Sequence, residues 1–212
     1  KGVMQRQPRP QSESIFAHGL GRQIIFLAIV LSVVTLIGFL YGHMAYGLEP
    51  FSPTLGLEKF SQAELSWMVG EEDTPANWDS LAIEQRIAML EQESDANGFE
   101  EENEILAHAE RLPRTIAFTI LAIGQMFHVA GIHAGDRVSF FSVWFRKNML
   151  LFWAILSTVV LQLLVVYVPF LQKVFETVSI SLVDLIVSFG LAAMVLAATE
   201  LDKLLINRGI LR

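Results

Sequence analysis

The chain has 212 residues, of which 53% are hydrophobic, and its mean hydropathy is +0.47. A soluble domain with one solvated surface does not reach these values, so they predict a membrane protein. The formal net charge is −7 and there is no cysteine, which excludes disulfides, thiolate metal sites and cysteine nucleophiles.

Four long apolar segments dominate the sequence. Residues 23–48, 115–135 and 148–172 contain no Asp, Glu, Lys or Arg, and residues 180–199 are equally apolar apart from Asp184. Each segment is long enough to cross about 30 Å of hydrocarbon as a helix. Backbone groups in hydrocarbon must be paired internally, and these segments are too long for barrel strands. The sequence therefore predicts an all-α membrane protein with four transmembrane helices.

The charges between these segments predict a topology. Basic residues precede the first segment, separate the second from the third and follow the fourth, which places all three regions in the cytoplasm. Residues 47–112 carry 16 acidic and 3 basic side chains and are expected on the other side. The predicted order is a cytoplasmic entry (1–22), a helix (23–46), an acidic extracytoplasmic loop (47–113), a helix (114–134), a cytoplasmic loop (135–147), a helix (148–169), an outer link (170–179), a helix (180–200) and a cytoplasmic tail (201–212).

The first predicted helix contains two glycines and ends among aromatic residues. Gly38 and Gly42 are four residues apart, so they share one helix face and would let a neighbouring helix approach closely. Glycine is also common in membrane helices, which leaves this interpretation open. Tyr41 and Tyr46 are interpreted as interfacial aromatics.

The acidic loop is predicted to be partly helical. Apolar residues recur near helical spacing in residues 77–93 and 99–111, and Asn97 and Gly98 would break the two stretches. A small helical hairpin or an acidic cap is expected. Pro113 suits the first turn of the second transmembrane helix, where its missing N–H does no harm.

The strongly polar residues of the second and third helices are the candidates for function. Gln125 can hydrogen-bond to another helix or offer its carbonyl oxygen to a cation, and residue chemistry alone favours helix packing. His128 is interpreted as a packing residue and His133 as an interfacial one. Gln162 is the lone strongly polar residue of the third helix. None of these residues has convincing spacing for a metal cluster.

The fourth helix carries an acidic residue near its start and a stripe of small residues. Asp184 is expected either at an interface or satisfied inside the bundle. Gly190, Ala193 and Ala197 favour close helix packing. Residues 200–205 are expected to return to water, with charges that pair locally.

In this order, the segments resemble the carboxy-terminal transmembrane domain of type II P-type cation-transporting ATPases, especially calcium pumps, and match the seventh to tenth helices of that family. The matching motifs are MQRQPRP (4–10) with ESIF (13–16), RTIAFT (114–119) with QMFH (125–128), YVPFLQKVF (167–175), and LVDL (182–185) with ELDK (200–203). The last two motifs are most similar to the secretory-pathway calcium and manganese type.

Three features depart from the family pattern. Gln7 stands where relatives usually have proline, and the extracytoplasmic loop is longer than in many relatives. Gln125 stands where the two-site reticulum pumps have glutamate. The resemblance implies that Gln125 is at most a peripheral cation ligand and that the pump carries a single ion.

The resemblance implies that the complete protein hydrolyses ATP through a phosphorylated aspartate and exports a cation, with Ca²⁺ expected. The motif Asp-Lys-Thr-Gly-Thr does not occur among these 212 residues, so phosphoryl transfer with ATP and Mg²⁺ is expected upstream. No catalytic or cofactor-binding residue is assigned here. The chain would brace the ion-carrying helices.

We expect an integral protein of a prokaryotic plasma membrane with both termini in the cytoplasm. Its expected partners are the lipid bilayer and the upstream transmembrane helices and cytoplasmic domains of the same pump, with no nucleic acid. An alternative of another class is a stand-alone, non-catalytic four-helix accessory protein. A channel is a weaker alternative because an intramembrane ring of charges is missing.

Overall fold

The computed structural model describes residues 20–52, 55–71, 74–95, 104–133, 138–140 and 149–210. The helices are α1 (Leu20–Ala45), α2 (Gln62–Val69), α3 (Ile83–Asp95), α4 (Glu104–His133), α5 (Met149–Tyr167), α6 (Pro169–Phe175) and α7 (Leu182–Asn207), with 3₁₀ turns at Leu57–Lys59 and Trp78–Ser80. Within this part of the chain, four helices, α1, α4, α5 and α7, are long and apolar enough to cross a membrane. The prediction of an all-α protein with four transmembrane helices is confirmed.

Helix α4 extends further than the sequence suggested. It begins at Glu104, so much of the helix expected at residues 99–111 is continuous with the second transmembrane helix. Pro113 therefore lies inside a helix, and its placement in a first turn was wrong. An interior proline costs a helix one hydrogen bond, but Ile105 and Ile116 are buried on either side of it, so tertiary packing holds both halves. The expected break at residues 97–98 and the entry segment 1–19 lie outside the described residues.

Helix α4 is the centre of the membrane bundle. It packs against α1, α5 and α7, and α1 also packs against α7. In the most apolar 18-residue stretch of each helix, 44% of α4 is buried but only 11% of α5 is. Helix α5 therefore lies at the periphery. The membrane core contains Val34, Ile116, Ile120, Val166 and Val195. The outward faces of all four helices are left for lipid or for further helices.

Two glycines let α1 approach α4 closely. A Cβ atom added to Gly42 would lie 2.8 Å from the Pro113 Cα, and one added to Gly38 would collide with the Ile120 side chain. Such distances leave no space for a side chain. The Gly38 and Gly42 pair is thus a helix contact face, which decides the question that the sequence left open.

The small-residue stripe of α7 was assigned to the wrong face. Gly190 is exposed, and a Cβ atom added there would meet nothing within 4 Å. Ala197 is exposed as well, whereas Ser188 and Ala192 are fully buried. Helix α7 has small residues on two faces, and the position of α4 selects the face that packs.

The described residues between α1 and the membrane part of α4, which we call the connector unit, have their own core. Leu57, Leu65, Trp78 and Ile105 are buried there. Arg86 holds the unit together: its guanidinium donates to the carbonyl oxygens of Trp78, Glu58 and Phe60 at 2.9–3.1 Å and lies 5.2 Å from the Trp78 ring centre. The Trp78 and Phe60 carbonyl oxygens also accept from the Leu81 N–H and from Trp78 Nε1, so Arg86 reinforces turns that are already hydrogen-bonded.

The glycine contact predicts opposite effects for two identical substitutions. Alanine favours a helix over glycine by about 1 kcal/mol, so Gly190→Ala should maintain or raise stability. Gly42→Ala should lower it by about 1–3 kcal/mol because the new methyl group overpacks against Pro113. Thermal unfolding of both variants in detergent measures the difference. Equal melting temperatures would contradict the close contact.

Candidate functional site

Gln125 lies on an outward face of α4. Phe118, Leu121 and Val129 are on the same side, three or four residues apart, and are 38%, 37% and 42% exposed. Gln125 itself is exposed. We call these four residues the Gln125 face. All four side chains are exposed in the described bundle, so the Gln125 amide is not buried between its helices.

The Gln125 face cannot form a complete cation site. A glutamine offers one neutral carbonyl oxygen, whereas Ca²⁺ takes six to eight oxygen ligands. Among the described residues, there is no group of three or more His, Cys, Asp or Glu side chains that could hold a metal ion. The side chains of the Gln125 face therefore supply at most one ligand of a calcium site.

A different glutamine makes the hydrogen bond between helices. The buried Gln162 amide Nε2 donates to Thr119 Oγ1 at 3.2 Å and so joins α5 to α4. Helix packing was the role favoured for Gln125 from residue chemistry. The half-buried His128 has no hydrogen-bond partner at Nδ1. His133 is exposed at the end of α4, as an interfacial residue would be.

Asp184 joins three elements at the connector end of the bundle. It is 3% exposed and accepts hydrogen bonds from the Tyr41 hydroxyl at 2.9 Å, the Tyr46 hydroxyl at 2.6 Å and the Ser181 hydroxyl at 2.6 Å. Of the two expectations for Asp184, satisfaction inside the bundle is correct. The hydroxyls of both tyrosines have a partner that the interfacial interpretation missed. The Ser-x-x-Asp spacing was the available signal, because it forms a capping box at the start of α7.

Tyr46 also connects this cluster to the connector unit. Its ring stacks on Trp67 of α2, with ring centres 5.9 Å apart and planes 16° from parallel. Its hydroxyl reaches Asp184 of α7. One side chain therefore links the end of α1, the connector unit and α7.

A second cluster closes the other end of the bundle. Lys203 is 3% exposed; its ammonium donates to the Gly131 carbonyl oxygen at 2.7 Å and to Glu200 Oε1 at 2.8 Å. Asp202 is 1% exposed and pairs with Arg22 at 2.6 Å. Local pairing of Glu200 with Lys203 is confirmed, but the expected return to water is wrong for Asp202 and Lys203. The last carbonyl groups of α4 have no N–H donor within the helix. The Lys203 ammonium donates to one of them, that of Gly131.

Comparison with known proteins identifies the family. Residues 1–205 match the family model described as cation transporting ATPase, C-terminus. The chain belongs to this family. The calcium-transporting ATPase type 2C member 2 of Mus musculus is 35% identical over 103 residues, which is 48% of the chain and 11% of the relative. Type 2C member 1 of Homo sapiens is 35% identical over 89 residues, which is 42% of the chain and 10% of the relative.

A bacterial relative covers more of the chain. The calcium-transporting ATPase of Bacillus subtilis is 26% identical over 192 residues, which is 91% of the chain and 15% of the relative. The chain therefore spans only a small part of the length of the relatives it matches. The resemblance to type II cation-transporting ATPases is confirmed.

For a cation-transporting ATPase C-terminal domain, these contacts favour a bracing role. The Asp184 cluster ties α7 to α1 at one end, and the Lys203 cluster ties α7 to α4 at the other. The assignment of Gln125 as a peripheral cation ligand remains a prediction.

The Asp184 cluster predicts coupled losses of stability. Tyr46→Phe should lower the free energy of unfolding by about 1–2 kcal/mol, since it removes a hydrogen bond to a charged group. In an Asp184→Ala background the same substitution should cost little, because its partner is gone. Thermal unfolding of the two single variants and the double variant provides the comparison. An equal cost in both backgrounds would contradict the coupling.

Proposed function

We propose that this chain is the carboxy-terminal membrane part of an ATP-driven P-type pump that exports Ca²⁺ from the cytoplasm. The observation that carries the proposal is the family match over residues 1–205, together with four candidate spans and relatives named as calcium-transporting ATPases. ATP and Mg²⁺ act on other parts of the complete protein, where phosphoryl transfer takes place.

The chain acts as a brace for the ion-carrying helices. Helices α1, α4 and α7 pack on one another and are tied at both ends by buried polar clusters around Asp184 and Lys203. Breaking a buried charged contact is costly, so the three helices move together. A rigid unit of this kind gives neighbouring helices a fixed surface against which to move during transport.

Gln125 is the residue of this chain that contacts the transported ion. It is the polar member of an apolar, outward face, and a primary amide in hydrocarbon needs a hydrogen-bonding or ligating partner. Upstream transmembrane helices of the same pump cover this face at Leu121, Gln125 and Val129 and supply the other oxygen ligands. A neutral amide, in place of a carboxylate, adds no charge to the site and fits a single bound ion.

Both termini of the chain lie in the cytoplasm of a prokaryote, with the connector unit outside its plasma membrane. Basic residues before α1, between α4 and α5 and after α7 support this orientation. The alternative of a free-standing accessory protein is not favoured, because the relatives are named calcium-transporting ATPases.

Substitution of Gln125 tests its contact with the ion. In the complete pump, Gln125→Ala should raise the Ca²⁺ concentration for half-maximal ATPase activity about three- to tenfold, as expected for losing roughly 1 kcal/mol of binding. Gln125→Glu should lower that concentration because a carboxylate is the stronger ligand. Membrane vesicles with buffered free Ca²⁺ allow the measurement.

Val129→Ala is the matched control, since it truncates an apolar neighbour on the same face and should leave Ca²⁺ affinity unchanged. Unchanged affinity in Gln125→Ala would limit Gln125 to packing against the upstream helices without affecting the pump assignment. Absence of Ca²⁺-stimulated ATP hydrolysis by the complete wild-type protein would refute the pump assignment itself.

The cysteine-free chain allows a direct test of orientation. Ala63→Cys on the exposed surface of α2 should react with a membrane-impermeant maleimide in intact cells. Ile210→Cys, exposed beyond α7, should react only after the cells are opened. Labelling is read on the proteolytic fragment that contains this chain. The reverse pattern would invert the proposed topology.

A further inference from the structure

A cleft lined by both charged and aromatic side chains lies where α4 leaves the apolar core toward the connector unit. It has a volume of about 230 Å³ and is bounded by α4 on one side and by the link between α6 and α7 on the other. Its lining includes Arg111, Arg114, Phe118, Phe175 and Glu176. The bracing role does not use this cleft, and the cleft shares only Phe118 with the Gln125 face.

The cleft lies at the depth of lipid headgroups. Arg111 and Arg114 directly precede the uncharged segment 115–135, so their side chains mark the boundary between hydrocarbon and water. Phe118 and Phe175 are 38% and 53% exposed and line the cleft. A ligand with a charged head and apolar chains fits this combination better than a water-soluble ion does.

The charges on the two sides of the cleft differ in sign. Arg111 and Arg114 are three residues apart on neighbouring positions of α4, and guanidinium groups bind phosphate oxygens well. Arg114 also pairs with Glu110, so the basic side is partly neutralised. Glu176 is exposed and ends α6 in a left-handed conformation with φ 53°. Its carboxylate can accept hydrogen bonds from the N–H groups of a ligand.

The walls of the cleft are held in place by hydrogen bonds. Thr115 Oγ1 accepts from the Val178 backbone N–H at 3.1 Å, which ties the link to α4. Thr177 Oγ1 donates to the Val165 carbonyl oxygen at 2.8 Å, which ties the link to α5. A cleft that is already formed loses little conformational entropy when it binds a ligand.

We propose that this cleft binds the headgroup of an ethanolamine phospholipid. The phosphate contacts Arg111 and Arg114, and the ammonium group donates to Glu176. The acyl chains follow Phe118 and Phe175 toward the hydrocarbon. A zwitterionic head matches a cleft with charges of both signs. Choline lacks N–H donors and glycerol lacks a positive charge, so the site distinguishes three common headgroups.

Native mass spectrometry of the full-length protein in neutral detergent tests the site. Phosphatidylethanolamine, phosphatidylcholine and phosphatidylglycerol with identical acyl chains are titrated, and the dissociation constant of the first bound lipid is measured. Phosphatidylethanolamine should bind about tenfold more tightly than phosphatidylcholine, the effect of one charge-assisted hydrogen bond.

Three variants locate the binding. Arg111→Gln should weaken phosphatidylethanolamine binding about tenfold, and Glu176→Gln should abolish its preference over phosphatidylcholine. Lys173→Gln, an exposed residue on α6 outside the cleft lining, should change neither value. Glu176 is exposed, so its variant decides the question if Arg111→Gln does not fold.

Two results would overturn the proposal. One is equal binding of the three lipids, or tighter binding of phosphatidylglycerol than of phosphatidylethanolamine. The other is wild-type binding and selectivity in the Glu176→Gln variant. The inference does not depend on the transported ion, and a failed lipid test would leave the pump assignment standing.

Discussion

The structure depends on the absence of water from the hydrocarbon core, which obliges most buried polar groups to find partners inside the protein. At the connector end, the Asp184 carboxylate accepts hydrogen bonds from the hydroxyls of Tyr41 and Tyr46. At the other end, Lys203 binds the Gly131 carbonyl oxygen. In the middle, Gln162 binds Thr119. These contacts occur at three depths and connect different helices, so together they fix the relative rotation of α1, α4, α5 and α7.

Apolar segment length made the four helices predictable, because the hydrocarbon thickness sets a minimum that few soluble segments meet. The rotation of each helix was less predictable. Helix α7 has small residues on two faces, and only the position of α4 determines that Ser188 packs and Gly190 does not. Lys203 looked solvated in the sequence for a similar reason. Its acceptor, Gly131, lies on another helix, and no local pattern reveals a contact of that range.

The sequence identified a candidate residue, Gln125, but not the arrangement of the residues around it. Residue chemistry identified Gln125 as a polar group that needs a partner, and the structure locates it on an exposed face of α4. The described bundle uses Gln162 for its amide contact between helices, which is the role that residue chemistry had favoured for Gln125. Among the described residues there is no group of three or more His, Cys, Asp or Glu side chains that could hold a metal ion, so neither spacing nor packing could define a site around Gln125.

In the proposed pump, the buried polar contacts of the bundle determine where motion can occur during a transport cycle. A rotation of α7 against α1 would separate the carboxylate of Asp184 from two hydroxyl donors, and a shift against α4 would remove Lys203 from its carbonyl acceptor. Each loss costs about 1–3 kcal/mol when the separated polar group stays buried. Movement along the Gln125 face breaks no contact within the bundle. In the proposed pump, the boundary between this face and the upstream helices is therefore where sliding is least opposed.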